Sequence, residues 1–379
     1  MNKVASVASH LVQKLRKRTL VNNAIQYVYL YLLPRSRVQP DAQFDSSLSD
    51  QQPRVAFICD EMTWHDFSGH CNAIFLHPKT WRKQMEAFRP TLVFCESAWS
   101  GIDKYKDCWR ARVYKDQRIS FENRKELLSL LEYCTSKEIP TAFWNKEDPA
   151  FFDHKIYDFV DTALKFDYVF TTAQECVEKY RKKGHDRVFC LPFGVNTEQF
   201  APDVQEKKEN SALFVGSWYG DNPERCKALC EILDYVIDQG MDLVIYDRQS
   251  NSPEEKFRFP EKYNKYLHPS IAFRDIPALI CQYPVCINVN TVTDSTTMFS
   301  RRVLQALACG SKVLSNDFEG LRSFAHQEVV ITKINHSIIE LEGNLSAIDK
   351  YHNTRSRFQY VVETVGCEIS VGEEVFALR

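Results

Sequence analysis

The sequence predicts an α/β protein made of two Rossmann-like, doubly wound domains that face a cleft, with an extra helical segment at the N-terminus. Short, continuous apolar stretches alternate with helical stretches, and polar or acidic residues follow many of the apolar ones. Ligands bind at the carboxyl edge of such sheets, so these polar residues are the first candidates for a site. The chain has 379 residues, which is enough for two domains of ordinary size. Its residues are 44% hydrophobic and 26% charged, as in soluble globular proteins.

Residues 1–50 are predicted to form a helical segment and a linker. Residues 1–33 look helical, Pro34 ends the helix, and the polar residues that follow show no periodicity. A basic run over 14–18 precedes an apolar run over 27–33 that is too short to span a bilayer. This pattern suits a helix lying in a lipid interface. A helix packed on the protein or on a partner is the alternative.

The first α/β domain is predicted over residues 51–200. Its strands are expected at residues 54–60, 91–96, 141–144, 168–171 and 187–191. Its helices are expected around residues 78–89, 122–137, 155–165 and 173–183. Strands that are apolar throughout predict a parallel sheet covered on both faces.

The second α/β domain is predicted over residues 201–379, where the pattern restarts after a charged stretch. Its strands are expected at residues 212–216, 242–246, 285–290 and 312–315. Its helices are expected at residues 223–239 and 299–309. The second helix should end at Gly310 and lead directly into a buried strand.

Composition argues against several classes of function. The net charge of −2 shows no general attraction to nucleic acid, so no nucleic-acid partner is expected. The 13 cysteines lack the spacing of metal ligands, which predicts free thiols, a reducing compartment and no metal site. No cleavable signal peptide is evident, so we expect a cytoplasmic protein, with the inner face of the membrane as an alternative location.

Polar residues after two strands of the second domain predict a ligand site. Gly216 and Ser217 stand between a strand and a helix, where free backbone N–H groups can hold a diphosphate. A tight structural turn is the alternative. Tyr246 and Asp247 end the next strand, where the ring can stack on a base and the carboxylate can accept base N–H groups. An ordinary surface loop is the alternative.

The loop before residue 301 gives a more specific signal. Asn288 and Asn290 alternate with apolar residues, so both side chains should point to one face at the strand end. The Ser/Thr-rich loop offers helix N-caps. Arg301 and Arg302 lie in the first turn of the next helix, where the helix dipole disfavours positive charge and a bound anion would offset the cost. A solvated arginine pair is the alternative.

Acidic and aromatic residues of the first domain are candidates for binding an acceptor. The possible catalytic groups are Asp60, His65, Glu96 and Glu147. The acceptor-binding candidates are Trp99, Asn145, Lys146 and Asp148. Trp64, Trp99 and Trp144 can stack on sugar rings; core packing is the alternative for each and is favoured for Trp144. Residues 146–148 fit a self-paired surface turn equally well.

Residues 299–315 resemble the donor-binding segment of GT-B glycosyltransferases. The resemblance is closest to the CgeB-like branch, which is related to the retaining family-4 enzymes (glycosyl transferases group 1), and it covers roughly residues 54–365. Similar segments occur at residues 145–149, 166–172, 191–193 and 215–219. The resemblance implies a nucleotide-sugar donor on the second domain, an acceptor on the first, and no metal.

The donor-binding candidates combine the resemblance with the polar pattern. They are Gly216, Ser217, Trp218, Tyr246, Asp247, Arg248, Asn288, Asn290, Ser300, Arg301, Arg302 and Gln305. Related enzymes commonly carry a glutamate where this chain has Gln305, and an acid where it has Thr297. The amide of Gln305 can still form hydrogen bonds with a ribose but carries no charge.

Three functions are compatible with these features. The first is a retaining, metal-independent hexosyltransferase that moves a sugar from a nucleotide-sugar co-substrate, expected to be a UDP-sugar, to a glycan or lipid-linked acceptor in bacterial capsule, cell-surface or spore polysaccharide synthesis. An inverting reaction would instead use a carboxylate or His65 as general base. The second is a catalytically inactive GT-B domain that acts as a binding or scaffold module. The third is an epimerase of sugar nucleotides.

Overall fold

The computed structural model describes residues 23–24, 27–28, 49, 52–201, 207–324 and 328–366. Most of the predicted N-terminal segment, residues 202–206 of the charged stretch and the last 13 residues lie outside this range. Asn23 donates from Nδ2 to Ser120 Oγ at 2.7 Å, and the ring of Tyr27 meets that of Phe121 edge-on at 5.7 Å. These contacts agree with the packed alternative for the segment, and its contact with a membrane stays a prediction.

The chain folds into two compact units. Unit 1 contains the described residues up to Thr171, those of Cys176–Cys190 and those from Val361 onward. Unit 2 contains Thr172–Glu175 and the described residues of Leu191–Tyr360.

Unit 1 contains a parallel sheet of six described strands in the order β2-β1-β3-β5-β7-β8. The strands are β1 Arg54–Ile58, β2 Asn72–Phe75, β3 Leu92–Glu96, β5 Thr141–Asn145, β7 Tyr168–Thr171 and β8 Val188–Cys190. A small antiparallel pair joins β4 Lys115–Asp116 to β6 Tyr157–Asp158. The central strands β3 and β5 are buried at every residue, as expected when both faces of a sheet are covered.

Short helices alternate with the strands of unit 1. They are α1 Glu61–Phe67, α2 Trp81–Phe88, α3 Lys125–Ser136, α4 Phe159–Ala163 and α5 Gln174–Lys182. Trp144 is 2% exposed and stacks on Phe67, so its predicted place in the core is confirmed.

Unit 2 contains a sheet of seven described strands in the order β11-β10-β9-β12-β13-β15-β14. The strands are β9 Ser211–Gly216, β10 Asp242–Asp247, β11 Leu267–His268, β12 Val285–Ile287, β13 Lys312–Asn316, β14 Val330–Lys333 and β15 Ile338–Glu342. The first five strands in this order run parallel, whereas β15 and β14 are antiparallel to their neighbours. Side chains of β9 alternate between two cores: Leu213 and Val215 pack on one face, and Ala212 and Phe214 on the other.

The helices of unit 2 cover both faces of this sheet. They are α6 Pro223–Asp238, α7 Ile276–Cys281, α8 Arg301–Ala308 and α9 Leu345–His352. A further helix, α10 Thr354–Val365, begins in unit 2 and ends in unit 1. Short 3₁₀ helices occur in both units at Ser68–His70, Asp103–Tyr105, Glu255–Phe257, Glu261–Tyr266, Phe273–Asp275 and Glu319–Phe324. No helix among the described residues is long and apolar enough to cross a membrane.

The predicted α/β class and Rossmann-like sheets are confirmed. All nine strands and all six helices expected between residues 54 and 315 occur within a few residues of the predicted bounds. Helix α8 begins after Ser300, in the Ser/Thr-rich loop expected to supply its N-cap, and ends at Ala308. Gly310 follows two residues later with a φ of 65°, which glycine adopts without strain. The antiparallel strands β14 and β15 were not predicted, because β14 is exposed at all four residues and has no apolar alternation.

Candidate functional site

The polar candidates of unit 2 converge at the carboxyl edge of its parallel strands. Strand β9 ends at Gly216, β10 at Asp247, and β13 at Asn316. Helices α6 and α8 begin above the same edge, because α6 follows β9 and α8 follows β12 in the chain. The edge therefore carries polar loops, helix N-termini and the arginines of the first helical turns.

Asn288 and Asn290 join the end of β12 to the end of β13. Asn288 donates from Nδ2 to Ser315 Oγ at 2.9 Å, and the Asn290 backbone N–H donates to Asn316 Oδ1 at 2.8 Å. Asn316 returns a bond from Nδ2 to Asn290 O at 3.1 Å. Both predicted residues are 2–3% exposed, so in this structure they hold the loop rather than present donors to solvent.

The same network sets the start of α8. Asn290 Oδ1 accepts the backbone N–H of Ser300 at 2.7 Å, and Ser300 Oγ accepts that of Arg302 at 3.4 Å. Ser300 is thus the N-cap, with extended backbone at φ −61° and ψ 125°. The asparagine network and the cap together fix where the first helical turn, with its arginines, stands on the sheet.

Arg302 is partly buried, and no carboxylate among the described residues pairs with its guanidinium. Its Nη2 donates to Val215 O at 3.4 Å, whereas its Nε and Nη1 are buried with no hydrogen-bond partner among the described residues. Burial, with a smaller effect of the Arg248 guanidinium in the same direction, lowers the pKa of Arg302 to about 10. Arg301 is 7% exposed, and its guanidinium carbon lies 4.7 Å from the ring centroid of Phe193. Two cationic groups are therefore desolvated in one helical turn.

The turn after β9 supplies a second set of groups. A Cβ on Gly216 would lie 2.4 Å from the Phe214 ring, so only glycine fits there. Ser217 is 1% exposed, and its Oγ has no hydrogen-bond partner among the described residues. Trp218 packs against Phe259, with ring centroids 5.6 Å apart. The turn thus leaves a buried hydroxyl near the arginines, since Arg302 bonds Val215, two residues before Ser217.

Arg225 is a feature that sequence analysis missed. It lies in the first turn of α6, where Asn222 caps its backbone N–H at 3.1 Å and Pro223 begins the helix. Its Nη1 donates to Ser217 O at 3.0 Å, and its guanidinium stacks over Tyr219 at 4.7 Å. The Asn-Pro cap was the sequence signal that could have placed this arginine beside the turn.

The remaining unit 2 candidates lie at the end of β10 and on α8. The Tyr246 ring stacks on His268 at 5.1 Å, and Asp247 accepts the backbone N–H of Gln249 at 2.8 Å. Burial raises the pKa of Asp247. The Arg248 side chain is exposed, while its backbone N–H donates to Gly216 O at 3.0 Å.

The two residues that depart from the resemblance occupy different surroundings. Gln305 is 3% exposed on α8, one turn beyond Arg301. Thr297 donates from Oγ1 to Thr172 O at 2.8 Å and accepts the backbone N–H of Gln174 at 2.9 Å. Thr297 is therefore a structural contact within unit 2.

In unit 1, Asp60 organises a loop. Its carboxylate accepts backbone N–H groups from Trp99 at 2.9 Å, Ser100 at 2.8 Å and Gly101 at 2.6 Å. These bonds hold the segment that follows β3 against the end of β1. Asp60 therefore has a structural role at the end of β1, because its carboxylate positions this loop.

Glu96 forms a buried ion pair with Lys146. Glu96 is 0% exposed, and its Oε2 lies 2.8 Å from Lys146 Nζ. The carboxylate also accepts the Thr63 hydroxyl and the Asp60 backbone N–H. Burial raises the pKa of Glu96, which the Lys146 ammonium opposes. Residues 146–148 are thus largely buried and do not form a self-paired surface turn.

Asn145 and Asp148 belong to a buried network with Tyr180. Asn145 Nδ2 donates to Asp148 Oδ1 at 2.8 Å and to the Tyr180 hydroxyl at 2.9 Å. Asp148 Oδ2 accepts the Thr171 hydroxyl at 2.7 Å and that of Tyr180 at 3.1 Å. Burial raises the pKa of Asp148 to about 7, against these hydrogen bonds.

Glu147 is the catalytic candidate with a reachable oxygen. Its Oε1 accepts the indole N–H of Trp99 at 2.9 Å, and burial raises its pKa. Trp99 itself lies among aromatic rings 5.1–5.7 Å away, those of Tyr114, Phe151, Tyr157 and Phe159. His65 pairs with Glu61 at 3.0 Å on the same helix. Among the described residues, no group of three or more potential ligands could hold a metal ion.

Comparison with known proteins identifies the fold. No family model matches the sequence, and a search of curated proteins finds no match. The crystal structure of Anabaena HepE in complex with UDP-glucose superposes with a TM-score of 0.50 at 9% sequence identity, covering 83% of this chain and 99% of HepE. This likeness shows the GT-B fold, as predicted.

Two further structures superpose with lower scores. The UDP-GlcNAc 2-epimerase from Neisseria meningitidis gives a TM-score of 0.42 at 10% identity, covering 83% of this chain and 100% of the epimerase. A glycosyltransferase from Rickettsia africae also gives 0.42 at 10% identity, covering 84% of this chain and 94% of that enzyme.

Proposed function

We propose that this protein is a glycosyltransferase that binds a UDP-sugar on unit 2. The observation that carries the proposal is Arg302, whose Nε and Nη1 are buried and have no hydrogen-bond partner among the described residues. An uncompensated buried cation is costly, and a bound anion removes the cost. A diphosphate suits the place, because guanidinium groups and helix N-termini both bind phosphate oxygens.

The neighbouring groups support the same ligand. The N-terminus of α8 presents backbone N–H groups, and the buried Ser217 hydroxyl can donate to a phosphate oxygen. HepE, which shares the fold, was crystallised with UDP-glucose, and this favours a uridine nucleotide here.

The chemistry we assign is transfer with retention of configuration and without a metal. Arg301 and Arg302, in the first turn of α8, supply positive charge where the diphosphate leaving group develops negative charge. That role is the one a divalent cation fills in other sugar transferases. Retention by a same-face displacement needs positioning more than a strong base, which fits the structural bonding of Asp60 and Glu96.

The acceptor is assigned to unit 1. Glu147 has one oxygen fixed by Trp99, while its Oε2 keeps access to solvent and has no partner among the described residues. The half-buried rings of Trp99, Phe151 and Tyr157 suit the apolar face of a sugar. We therefore assign a glycan or lipid-linked acceptor, in a CgeB-like role in bacterial surface or spore polysaccharide synthesis on the cytoplasmic side of the membrane.

The test is a panel of nucleotides and sugar nucleotides of uridine, guanosine, adenosine and cytidine. UDP and a UDP-sugar should raise the melting temperature, and the UDP-sugar should release UDP with a polysaccharide acceptor, with or without EDTA. Arg301→Gln should weaken UDP binding, whereas Arg274→Gln, which removes an exposed charge in unit 2, should not. No response to any nucleotide at millimolar concentration would refute the proposal.

The second candidate is a catalytically inactive scaffold of the same fold. Gln305 and Thr297 favour it, because neither offers the carboxylate that related enzymes carry at these positions, and Thr297 is engaged by Thr172 and Gln174. A protein that binds UDP but shows no hydrolysis or transfer with any sugar donor would support the scaffold. NMR of the product anomer separates retention from inversion if transfer occurs.

A further inference from the structure

The donor pocket of unit 2 carries more positive charge than a diphosphate needs. Arg225 and Arg301 are 8% and 7% exposed, and two guanidinium nitrogens of Arg302 are buried. A nucleoside diphosphate ester brings roughly two negative charges, which Arg301, Arg302 and the N-terminus of α8 already match. Arg225 is a third buried cation, and Arg248 adds an exposed fourth nearby.

No described carboxylate offsets this surplus at the two arginines nearest the β9 turn. The groups that shift the pKa of Arg225 are burial, Tyr219, Cys226 and Arg248, and none of them is a carboxylate. The groups that shift the pKa of Arg302 are burial, two cysteines and two arginines. Asp247, at the end of β10, is not among those groups, so these two guanidinium groups lack a negative partner among the described residues, and a ligand can supply one.

Arg225 differs from Arg302 in how its donors are arranged. Its guanidinium plane is fixed by the bond from Nη1 to Ser217 O at 3.0 Å and by stacking on Tyr219. Its Nε and Nη2 have no partner among the described residues, yet they keep contact with solvent, unlike Arg302 Nε and Nη1. A held guanidinium with a reachable edge suits bidentate binding of a carboxylate.

The two arginines also approach the β9 turn from different helices. Arg225 stands on α6 and bonds the carbonyl of Ser217, whereas Arg302 stands on α8 and bonds that of Val215. One ligand that touches both must therefore extend across the turn. A diphosphate at the start of α8 with a negatively charged sugar toward α6 meets this arrangement.

Resting on the proposed function, we propose that the donor is a UDP-sugar with an acidic sugar, of the hexuronate class, and that Arg225 binds the sugar carboxylate. Arg225 then sets donor specificity, while Arg301 and Arg302 bind the diphosphate common to all UDP-sugars.

The experiment is calorimetric titration of the full chain with UDP, UDP-glucose, UDP-glucuronate and UDP-galacturonate at one fixed salt concentration. The wild-type protein should bind at least one uronate donor about tenfold or more tightly than UDP-glucose, since hydrogen bonds between charged groups are the strong ones. Arg225→Gln should weaken binding of that uronate donor about 10- to 100-fold and leave UDP and UDP-glucose within about twofold. Arg274→Gln is the matched control for loss of one charge in unit 2 and should change none of the four affinities.

Each other outcome overturns a stated part. If wild-type protein binds UDP-glucose as tightly as both uronates, the acidic donor is refuted, even if Arg225→Gln does not fold. If Arg225→Gln weakens UDP as much as the uronates, Arg225 binds the diphosphate and the specificity role is refuted. Arg225→Lys keeps the positive charge but cannot bind a carboxylate through two parallel N–H groups. This variant should therefore retain part of the preference for the uronate donor over UDP-glucose. If UDP itself does not bind, the proposed function fails, and this inference fails with it.

Discussion

The carboxyl edges of the two parallel sheets carry similar polar residues but satisfy them differently. In unit 1, Glu96 lies 2.8 Å from Lys146, and Asp148 accepts bonds from Thr171 and Tyr180. In unit 2, two nitrogens of Arg302 and the hydroxyl of Ser217 are buried without a partner among the described residues. The polar groups at the edge of unit 1 largely bond one another, whereas the edge of unit 2 leaves buried donors to which the proposed function assigns a ligand.

This difference distinguishes polar residues that stabilise the fold from polar residues to which the proposed function assigns a ligand. A buried charge with a partner stabilises its surroundings only as long as the partner remains. A buried charge without one lowers stability until a ligand arrives, and its removal should then stabilise the free protein. Charge removal at the two edges should therefore have opposite effects on folding, and the predictions below test this.

The largest effect is expected from Glu96→Gln. It leaves the Lys146 ammonium, 7% exposed, without its carboxylate, so the free energy of unfolding should fall by about 3–5 kcal/mol. Urea unfolding monitored by circular dichroism measures this. Glu198→Gln, which breaks an exposed pair with Arg355, should change stability by less than about 1 kcal/mol.

The double variant Glu96→Gln with Lys146→Met removes both charges and should recover most of the loss. If Glu96→Gln lowers the free energy of unfolding no more than Glu198→Gln does, the ion pair does not stabilise the edge of unit 1. The proposed difference between the two edges would then be wrong for unit 1.

The next effect is a pH dependence carried by Asp148. Burial raises the pKa of Asp148 from 3.8 to about 7 in the folded protein, so between these values the unfolded chain loses the proton more readily. The contribution of Asp148 to stability is therefore full below pH 3.8 and is lost as the pH rises to 7. Stability should therefore decline across this window by at most about 4 kcal/mol from this group. Asp148→Asn should flatten that part of the decline, measured as unfolding free energies at pH 5 and pH 8. Asp153→Asn, at an exposed carboxyl, is the control, and identical slopes in all three proteins would contradict the prediction.

A somewhat smaller effect is expected at the edge of unit 2. Arg302→Met should weaken UDP binding about 10- to 100-fold and leave the melting temperature of the free protein unchanged or higher. Calorimetry and thermal unfolding measure the two quantities. A loss of stability like that of Glu96→Gln would show that Arg302 is structural, and the two edges would then not differ in kind.

The smallest effect is expected from Ser300→Ala. Its hydroxyl caps α8 through a bond of 3.4 Å to the Arg302 backbone N–H, so its loss should reduce stability by about 1 kcal/mol. UDP affinity should fall only slightly, because Asn290 still holds the backbone of residue 300. Thermal unfolding with and without UDP measures both. Ser300→Thr should keep the cap, and an equal loss in that variant would argue against capping.

Much of the fold was predictable from the sequence, because continuous apolar strands and capped helices are local signals. Strand β9 and helix α8 are examples, each found within two residues of the predicted bounds. Strands β14 and β15 were missed, since β14 is exposed along its length and is specified by its pairing with β15, which local periodicity does not show.

The roles of the polar residues were less predictable, because they depend on partners distant in the chain. Glu96 is a catalytic candidate and Lys146 an acceptor-binding candidate, and the sequence does not show their contact across 50 positions. Asn290 is a donor-binding candidate, and the sequence does not show that its side chain also accepts the backbone N–H of Ser300. Arg301 and Arg302 were identified because charge in a helical first turn is a local anomaly, whereas Arg225 was missed because its contact with Ser217 lies eight positions back across a turn.

The division of the chain into units has a consequence for how the protein is made. Val361, Val362 and Val365, the buried valines of the last described turns of α10, belong to unit 1, although nearly the whole of unit 2 precedes them in the chain. During synthesis, the ribosome therefore translates nearly all of unit 2 before it translates the segment from Val361 onward that completes unit 1. Until that segment is made, unit 1 lacks the buried valines of α10. A fragment ending at residue 190 would lack them permanently.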